Sequence, residues 1–474
     1  MFQTLKNAWK TQELRTKLLF TLLIVILYRL GSAIPVPFVT GVSETINQNF
    51  NYAVQLIAGD AFGQATLFAL SVSPYITSSI IVQLLTFAIP ALERWAKEGE
   101  EGKKKIDLMT RITTLVLAVI TSVGYAGLII SNNMTSIKLT GKSDIVFINV
   151  FQSKDLAGLK FVIMVACYIA GAMLVMWLAE KINDYGIGNG ISVILFANII
   201  ARLPNLFVNI YNMNYSAIVG GKTFDIVVSI VWSLLIVAFM IAIVWLIVWF
   251  TDSERRIPVQ YAKKVVGRKM YGGASSNLPL KLNMAGVMPV IFANSIVSIP
   301  GTLATIFSAA WLTTLANYYF NYTKPLYVVL SVILLFAFAY FYIFMSFNPT
   351  EVANNIRNNG GVVPGIRPGK PTRDYIKKIL HRVTLIGAIF LCIVSEVPKI
   401  FVSIFETVKN IVTVTGSKNV VLQGIVDFYN NGQSTFLTVA FAGTSILIVV
   451  GVILETVREL EAQLTMRNMK GFLD

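Results

Sequence analysis

Residues 51–85 read NYAVQLIAGDAFGQATLFALSVSPYITSSIIVQLL, and they cannot form an ordinary lipid-facing helix. Gly59, Asp60, Gly63 and Gln64 interrupt the first half, and Pro74 removes a backbone donor just as the apolar run from Ile76 begins. Broken backbone at membrane depth is tolerated only where protein or a water-filled cavity surrounds it. The stretch therefore predicts a broken helix inside a bundle of other helices, and those helices must enclose something.

The whole chain agrees with a membrane setting. Its 474 residues are 55% hydrophobic and 13% charged with a net charge of +15, a balance that excludes a soluble globular domain and points to a polytopic membrane protein. Cys167 and Cys392 sit far apart in apolar runs and read as small buried hydrophobes rather than a disulfide framework. The single histidine, His381, stands beside Arg382 at a loop edge, so histidine-based metal or acid–base chemistry is not expected, and no cofactor is called for. The N-terminus, MFQTLKNAWKTQELRTK, is amphipathic and basic, with no small-residue cleavage site before Pro35, so the first span is expected to stay.

Apolar runs of roughly 17–25 residues, the length needed to cross a bilayer, fall at 18–34, 65–89, 112–130 and 161–178, with a short one at 187–201. A second set follows at 226–250, 284–306, 326–347, 383–402 and 436–455. The expectation is an all-α protein of ten transmembrane helices in two inverted halves of five. Its parts are an N-terminal segment 1–17, a first half 18–203, an exterior linker 204–225, a second half 226–455 and a tail 456–474.

Lysine and arginine set the orientation. Lys6, Lys10, Arg15 and Lys17 precede the first span, and Arg94, Lys97, Lys103, Lys104, Lys105 and Arg111 lie between the second and third. Loop 251–283 holds Arg255, Arg256, Lys263, Lys264, Arg268, Lys269 and Lys281, and loop 348–382 holds Arg357, Arg367, Lys370, Arg373, Lys377, Lys378 and Arg382. Opposite junctions are poorer, with Lys324 in one and Lys399, Lys409 and Lys418 in another. Both termini and both basic loops are thus expected in the cytoplasm. Topology alone explains such charge in most membrane proteins, but here 256–261 and 278–282 alternate like the strands of a protruding hairpin. Pro364-Gly365-Ile366-Arg367-Pro368-Gly369 predicts a tight turn presenting Arg367 outward, where its fork of donors suits carboxylate or phosphate on a large partner.

Ionisable residues are scarce inside the spans, Arg29 and Glu396 being the clearest, and both read as ion-paired or snorkelling rather than as transport chemistry. Gly221-Lys222-Thr223 and Gly141-Lys142-Ser143 end like phosphate loops, yet Ser216 and Ser136 occupy the place of the first glycine. Gly186-Ile187-Gly188-Asn189-Gly190 follows an apolar helix rather than a strand, so it reads as a hinge between the fourth and fifth spans instead of a dinucleotide fingerprint. The chain is not expected to be an enzyme or to supply its own fuel.

Several motifs, in order along the chain, carry a resemblance. They are Ser73-Pro74-Tyr75-Ile76 running to Gln83-Leu84-Leu85, Lys97-Glu98-Gly99-Glu100, Trp177-Leu178-Ala179-Glu180 followed by Gly186 to Ser192, Leu278 to Val287, Phe347-Asn348-Pro349, and Pro364 to Gly369. The chain resembles, over nearly its whole length, the SecY family of protein-conducting channel subunits. The resemblance implies an hourglass pore, a plug at 51–64 that includes Asn51, Gln55, Ile57, Gly59, Asp60, Phe62 and Gln64, and a pore ring of Val72, Ile76, Ile191, Leu195, Ile291 and Ile448. It implies a lateral gate with Pro74, Thr77, Ser78 and Gln83 on one edge and Pro289, Asn294 and Ser298 on the other. Arg255, Arg256, Lys263, Lys264, Arg268, Lys269, Arg357, Arg367 and Lys370 would dock the SecA motor ATPase or the ribosome with its RNA.

The same resemblance implies SecE and SecG as membrane partners, preprotein signal sequences as cargo and lipid as the destination of transmembrane segments. Two departures stand out: Ser71 replaces an expected glycine, and the exterior segment 401–434 is long. The expected function is a passive gated channel in the cytoplasmic membrane that passes unfolded secretory chains and releases apolar segments sideways. Two alternatives are a secondary transporter of a small solute, disfavoured by the scarcity of midplane carboxylates, and an accessory channel devoted to particular substrates.

Overall fold

The computed structural model describes residues 2–37, 65–140, 157–219, 223–261, 264–266, 269–271, 275–307, 310–319, 324–415 and 443–465. The chain opens with an amphipathic helix α1 (Phe2–Lys10), whose Ala8 is buried with Leu14, Ile187 and Leu460 while Trp9 and Lys10 face outward. After a break at Thr11, α2 (Gln12–Ala33) runs to Pro35, where an isolated bridge to Thr66 ties it to the stretch ahead of the next helix. Helix α3 (Ser73–Ala88) has Pro74 in its first turn, where the missing N–H is no loss. Pro90 then cannot continue α3 with its neighbour Ile89 held extended, and the chain bends by 101° into α4 (Pro90–Lys97).

Long helices follow: α5 (Glu100–Thr140), α6 (Ala157–Tyr185), α7 (Gly190–Val219) and α8 (Thr223–Asp252). A strand-rich insertion holds β1 (Glu254–Tyr261), β2 (Lys264–Val266), β3 (Lys269–Tyr271) and β4 (Ser275–Lys281). Then come α9 (Met288–Phe307), α10 (Ala310–Tyr319), α11 (Pro325–Ser346), α12 (Pro349–Asn358), β5 (Gly361–Val362), α13 (Lys370–Thr415) and a final helix, α14, over 443–465. Among the described residues seven helices are long and apolar enough to cross a membrane, or eight if the bent pair α3 and α4 is one span, and Met288–Gly301 is a shorter apolar helix.

One large apolar cluster joins the molecule across its middle, with Tyr28 from α2, Ile80 from α3, Ile182 from α6, Ile194 from α7, Ile247 from α8, Leu335 from α11, Leu391 from α13 and Leu447 from α14. Outward faces are apolar as well: Leu22, Ile26, Leu234, Ile241, Trp245 and Ile333 are exposed, as a surface solvated by lipid tails requires.

The expected hairpin is present. Strands β1 and β4 pair antiparallel with Arg256 opposite Pro279 and Ile257 opposite Leu278, and alternation buries Ile257 and Val259 while Arg256 and Pro258 face out. The second basic loop completes the same sheet, because β5 pairs with the far edge of β1 at Gln260–Val362, giving the order β4-β1-β5. Ala353 and Ile356 of α12 and Ile376 of α13 close a small core beneath it.

Helix lengths differ from the hydropathy reading. Residues 204–219, expected in a linker, continue α7, and α13 extends in both directions beyond 383–402 to span Lys370–Thr415. The amphipathic start of α13 stays helical by packing Ile376 and Leu380 on protein, whereas 204–219 continues α7 with Phe207, Val208, Tyr211 and Tyr215 exposed. One correction follows for charge counting. Lys399, assigned above to an exterior junction, lies inside α13 and is 2% exposed, so it does not contribute to a loop's charge.

Candidate functional site

The stretch 65–72 forms the root from which α3 rises. Two of its non-glycine residues hold left-handed backbone, Ala65 at φ 50° and Ser71 at φ 48°. Such conformations persist only when surrounding contacts over-determine them, and here the contacts are visible. The Tyr168 hydroxyl donates to the Ala65 carbonyl at 3.3 Å, and Leu67 N–H donates to the Ile34 carbonyl at 2.9 Å. Ser71 sits in a buried triangle: its hydroxyl is 3.0 Å from the Tyr28 hydroxyl and accepts from Asn198 Nδ2 at 3.0 Å, while the Tyr28 hydroxyl donates to Asn198 Oδ1 at 2.8 Å. Phe68 stacks on Tyr28 at 5.6 Å and fills the place of a Cβ at Gly31. The triangle binds α2, the root and α7 into one piece. Sequence reasoning missed it, although Ser71 in place of an expected glycine was its signal.

All six residues assigned to the ring fall within the central apolar cluster. Val72, Ile76, Leu195, Ile291 and Ile448 are buried, and Ile191, half-buried, packs against the same cluster. They come from the root, α3, α7, α9 and α14, and each side chain is branched and aliphatic.

Helices α3 and α9 are in contact, and both also pack on α5. On α3 the polar groups assigned to the gate are satisfied away from α9: the Thr77 hydroxyl donates to the Ser73 carbonyl at 3.0 Å, the Ser78 hydroxyl to the Thr110 carbonyl of α5 at 2.8 Å, and Gln83 Nε2 to Ser79 Oγ at 3.2 Å. Pro74 and Pro289 are both buried near the starts of their helices. On α9 the Ser298 hydroxyl donates to the Ser295 carbonyl at 2.8 Å, and Asn294 Oδ1 accepts from Lys399 Nζ at 3.2 Å. Lys399 in turn pairs with Glu396 at 2.9 Å, both 2% exposed, which makes Glu396 a structural ion-pair partner as its sequence setting suggested.

The hinge between α6 and α7 is built as read. Gly188 holds φ +84°, and a Cβ at Gly190 would lie 1.9 Å from the Ala179 carbonyl oxygen. Thr21 Oγ1 and Glu459 Oε2 accept from Ile187 N–H and Gly188 N–H at 3.0 and 2.8 Å, so α2 and α14 both grip it. Nearby, a cavity of about 460 Å³ is lined by Asn189, Thr251, Lys281, Asn283, Glu455 and Arg458 among others. Burial, with help from Arg458, lowers the Lys281 ammonium pKa from its usual value.

On the basic insertion Arg255, Arg357, Arg367 and Lys370 are exposed, and Arg256 pairs with Glu254 at 2.6 Å. Arg367 stands on the expected turn, with Gly365 and Gly369 at φ +80° and +100° and its carbonyl accepting from the Thr372 hydroxyl at 2.9 Å. Lys264 and Lys269 lie on the paired strands β2 and β3, opposite Tyr271 and Val266. Lys263 and Arg268 lie outside the described residues, as do all seven plug residues from Asn51 to Gln64 and the part of the exterior segment beyond Thr415. Among the described residues no group of histidine, cysteine and carboxylate side chains is arranged to hold a metal.

The SecY family model matches residues 66–457, from the root into α14. The chain belongs to the SecY family. It is 39% identical to the protein translocase subunit SecY of Streptomyces coelicolor and 35% identical to that of Bacillus subtilis, each alignment covering all of both chains. Among solved structures it is similar to a protein-conducting channel at TM-score 0.63 and 17% identity, covering 94% of this chain and 92% of that one. It is also similar to Sec61 in a canine ribosome–channel complex of the endoplasmic reticulum, at TM-score 0.59, 15% identity and the same coverage. As a SecY family member the chain is a multi-pass channel subunit of a protein translocase and not an enzyme.

Proposed function

We propose that this SecY family member is the gated pore of a translocase in the cytoplasmic membrane, with ten spans in two inverted halves and both termini in the cytoplasm. Unfolded secretory chains pass through the ring of Val72, Ile76, Ile191, Leu195, Ile291 and Ile448, and apolar segments leave sideways between α3 and α9. One observation carries the reading: six branched aliphatic side chains, from the root and from α3, α7, α9 and α14, all belong to the central apolar cluster, and α3 and α9 are in contact. A constriction of this kind excludes ions by dewetting yet offers no fixed hydrogen bond to hold a passing polypeptide. Residues 51–64 act as the plug.

Arg255, Arg256, Arg357, Arg367 and Lys370, all exposed, form the docking face for SecA or the ribosome together with Lys263, Lys264, Arg268 and Lys269, and RNA phosphates suit such a face. SecE and SecG complete the membrane complex, and signal sequences enter at the α3–α9 contact. A solute transporter is disfavoured because the buried carboxylate found, Glu396, is committed to Lys399.

Single-channel recording tests the ring. Serine or asparagine at four or more of the six positions is expected to raise resting ion conductance well above that of the natural protein, while transport of a model preprotein falls far less. Wild-type resting conductance in variants that still transport would make these residues ordinary packing and the pore placement wrong.

A further inference from the structure

Helix α9 is held from behind by a buried polar network. Glu396 Oε1 accepts from Lys399 Nζ at 2.9 Å, from Ser395 Oγ at 2.9 Å and from Ser331 Oγ of α11 at 3.0 Å. The same ammonium donates to Asn294 Oδ1 of α9 at 3.2 Å and lies 5.9 Å from the centre of the Tyr327 ring. Three helices thus meet at one ion pair from which water is excluded.

An ammonium with no access to water loses heavily when an acceptor is withdrawn, because nothing replaces it. Sliding α9 along α11 and α13 would draw Asn294 Oδ1 off Lys399, so the network resists any displacement of α9 from its present place. The front of α9 is different: Thr77, Ser78 and Gln83 of α3 spend their polar groups on α3 and α5. Glu396 Oε2 and the Tyr327 hydroxyl, both buried, have no hydrogen-bond partner among the described residues. The acceptor capacity of the carboxylate is therefore not saturated, whereas the ammonium bridges two helices.

We propose that Lys399, oriented by Glu396, is a positioning residue for the gate helix α9 acting through Asn294, and that this pair sets how readily the gate admits an apolar segment. The inference rests on the reading of α3 and α9 as the gate and adds to it the element that resists opening, which lies behind the gate instead of along its seam.

The test is a partition measurement in the complete translocase, scoring a marginally apolar test segment as released into lipid or passed across. Asn294→Ala leaves the ion pair intact and is expected to shift the partition several-fold toward release. Lys399→Met with Glu396→Leu removes both charges together, avoids an unpaired buried ion, and is expected to shift it similarly. Adding Asn294→Ala to that double variant should then change nothing further, since the residue acts through Lys399; this non-additivity is a readout that general loosening would not produce. An unchanged partition in Asn294→Ala, or effects that simply add in the triple variant, would overturn the proposal. A cysteine clamp joining α3 to α9 separates the two readings. If clamping leaves release unaltered, the gate itself is misplaced; if clamping abolishes release while Asn294→Ala does nothing, only the positioning role fails.

Discussion

Ser71 offers a sharp test because two effects at one residue have opposite signs. Its backbone is left-handed at φ 48°, which costs a non-glycine residue about 1–2 kcal/mol. Against that stand two hydrogen bonds, to Tyr28 and from Asn198, each contributing about 0.5–1.5 kcal/mol net. Ser71→Ala keeps the backbone cost and loses both bonds, a destabilisation of about 1–3 kcal/mol. Ser71→Gly loses the same bonds but relieves the backbone. Glycine's greater freedom in the unfolded chain takes back about 0.5–1 kcal/mol, so the two effects come close to cancelling or leave a modest advantage to glycine. The expected order is therefore serine, then glycine, then alanine, the last two differing by at most about 1.5 kcal/mol. Elsewhere in a helical protein alanine is ordinarily the more stable of that pair. Thermal denaturation of the purified complex reads the order as midpoints, with a gap of about 1–3 °C between the two variants. Tyr28→Phe should also make the two variants' losses smaller, since one of the two bonds is already gone. If Ser71→Gly melts clearly below Ser71→Ala, the left-handed backbone is not a burden on the fold and the reasoning fails.

Two predictions concern the basic face. Arg367→Glu is expected to reduce SecA-driven preprotein export substantially while leaving expression and membrane insertion unchanged, because the residue is exposed at the tip of a turn whose geometry rests on Gly365 and Gly369; normal export by the purified variant would remove Arg367 from the docking face. Reversing Arg255 and Arg256 to glutamate should weaken ribosome binding and flatten its dependence on salt, as phosphate contacts and their released counterions are lost. Arg255 should matter more, since Arg256 already pairs with Glu254. A binding curve indifferent to both charge and salt would count against this.

The hairpin, the Arg367 turn and the Gly186–Gly190 hinge were all readable from local pattern. Each is specified by short-range chemistry: strand alternation in 256–261, glycine at positive φ in the turn, and asparagine side chains capping the start of α7, where Gly190 N–H donates to Asn183 Oδ1 at 2.7 Å. Helix ends were read less well. Hydropathy finds where lipid begins, and α13 continues on protein contacts well past that point in both directions.

By itself the sequence determined that this chain lives in a membrane, which stretches are apolar enough to enter it, and where glycine and proline turn the chain at 186–190 and 364–369. Those follow from composition and from the backbone chemistry of glycine and proline, which act within a few residues. The tertiary structure alone decided what lies beside what. Nothing local says that β5 of one basic segment completes the sheet of the other, that Tyr28 and Asn198 would converge on Ser71 from 43 and 127 residues away, or that Lys399 would leave the loops to hold Asn294. Such partners are chosen by the need to satisfy every buried polar group where water cannot reach. That requirement has no sequence period, and only the packed molecule shows how it is met.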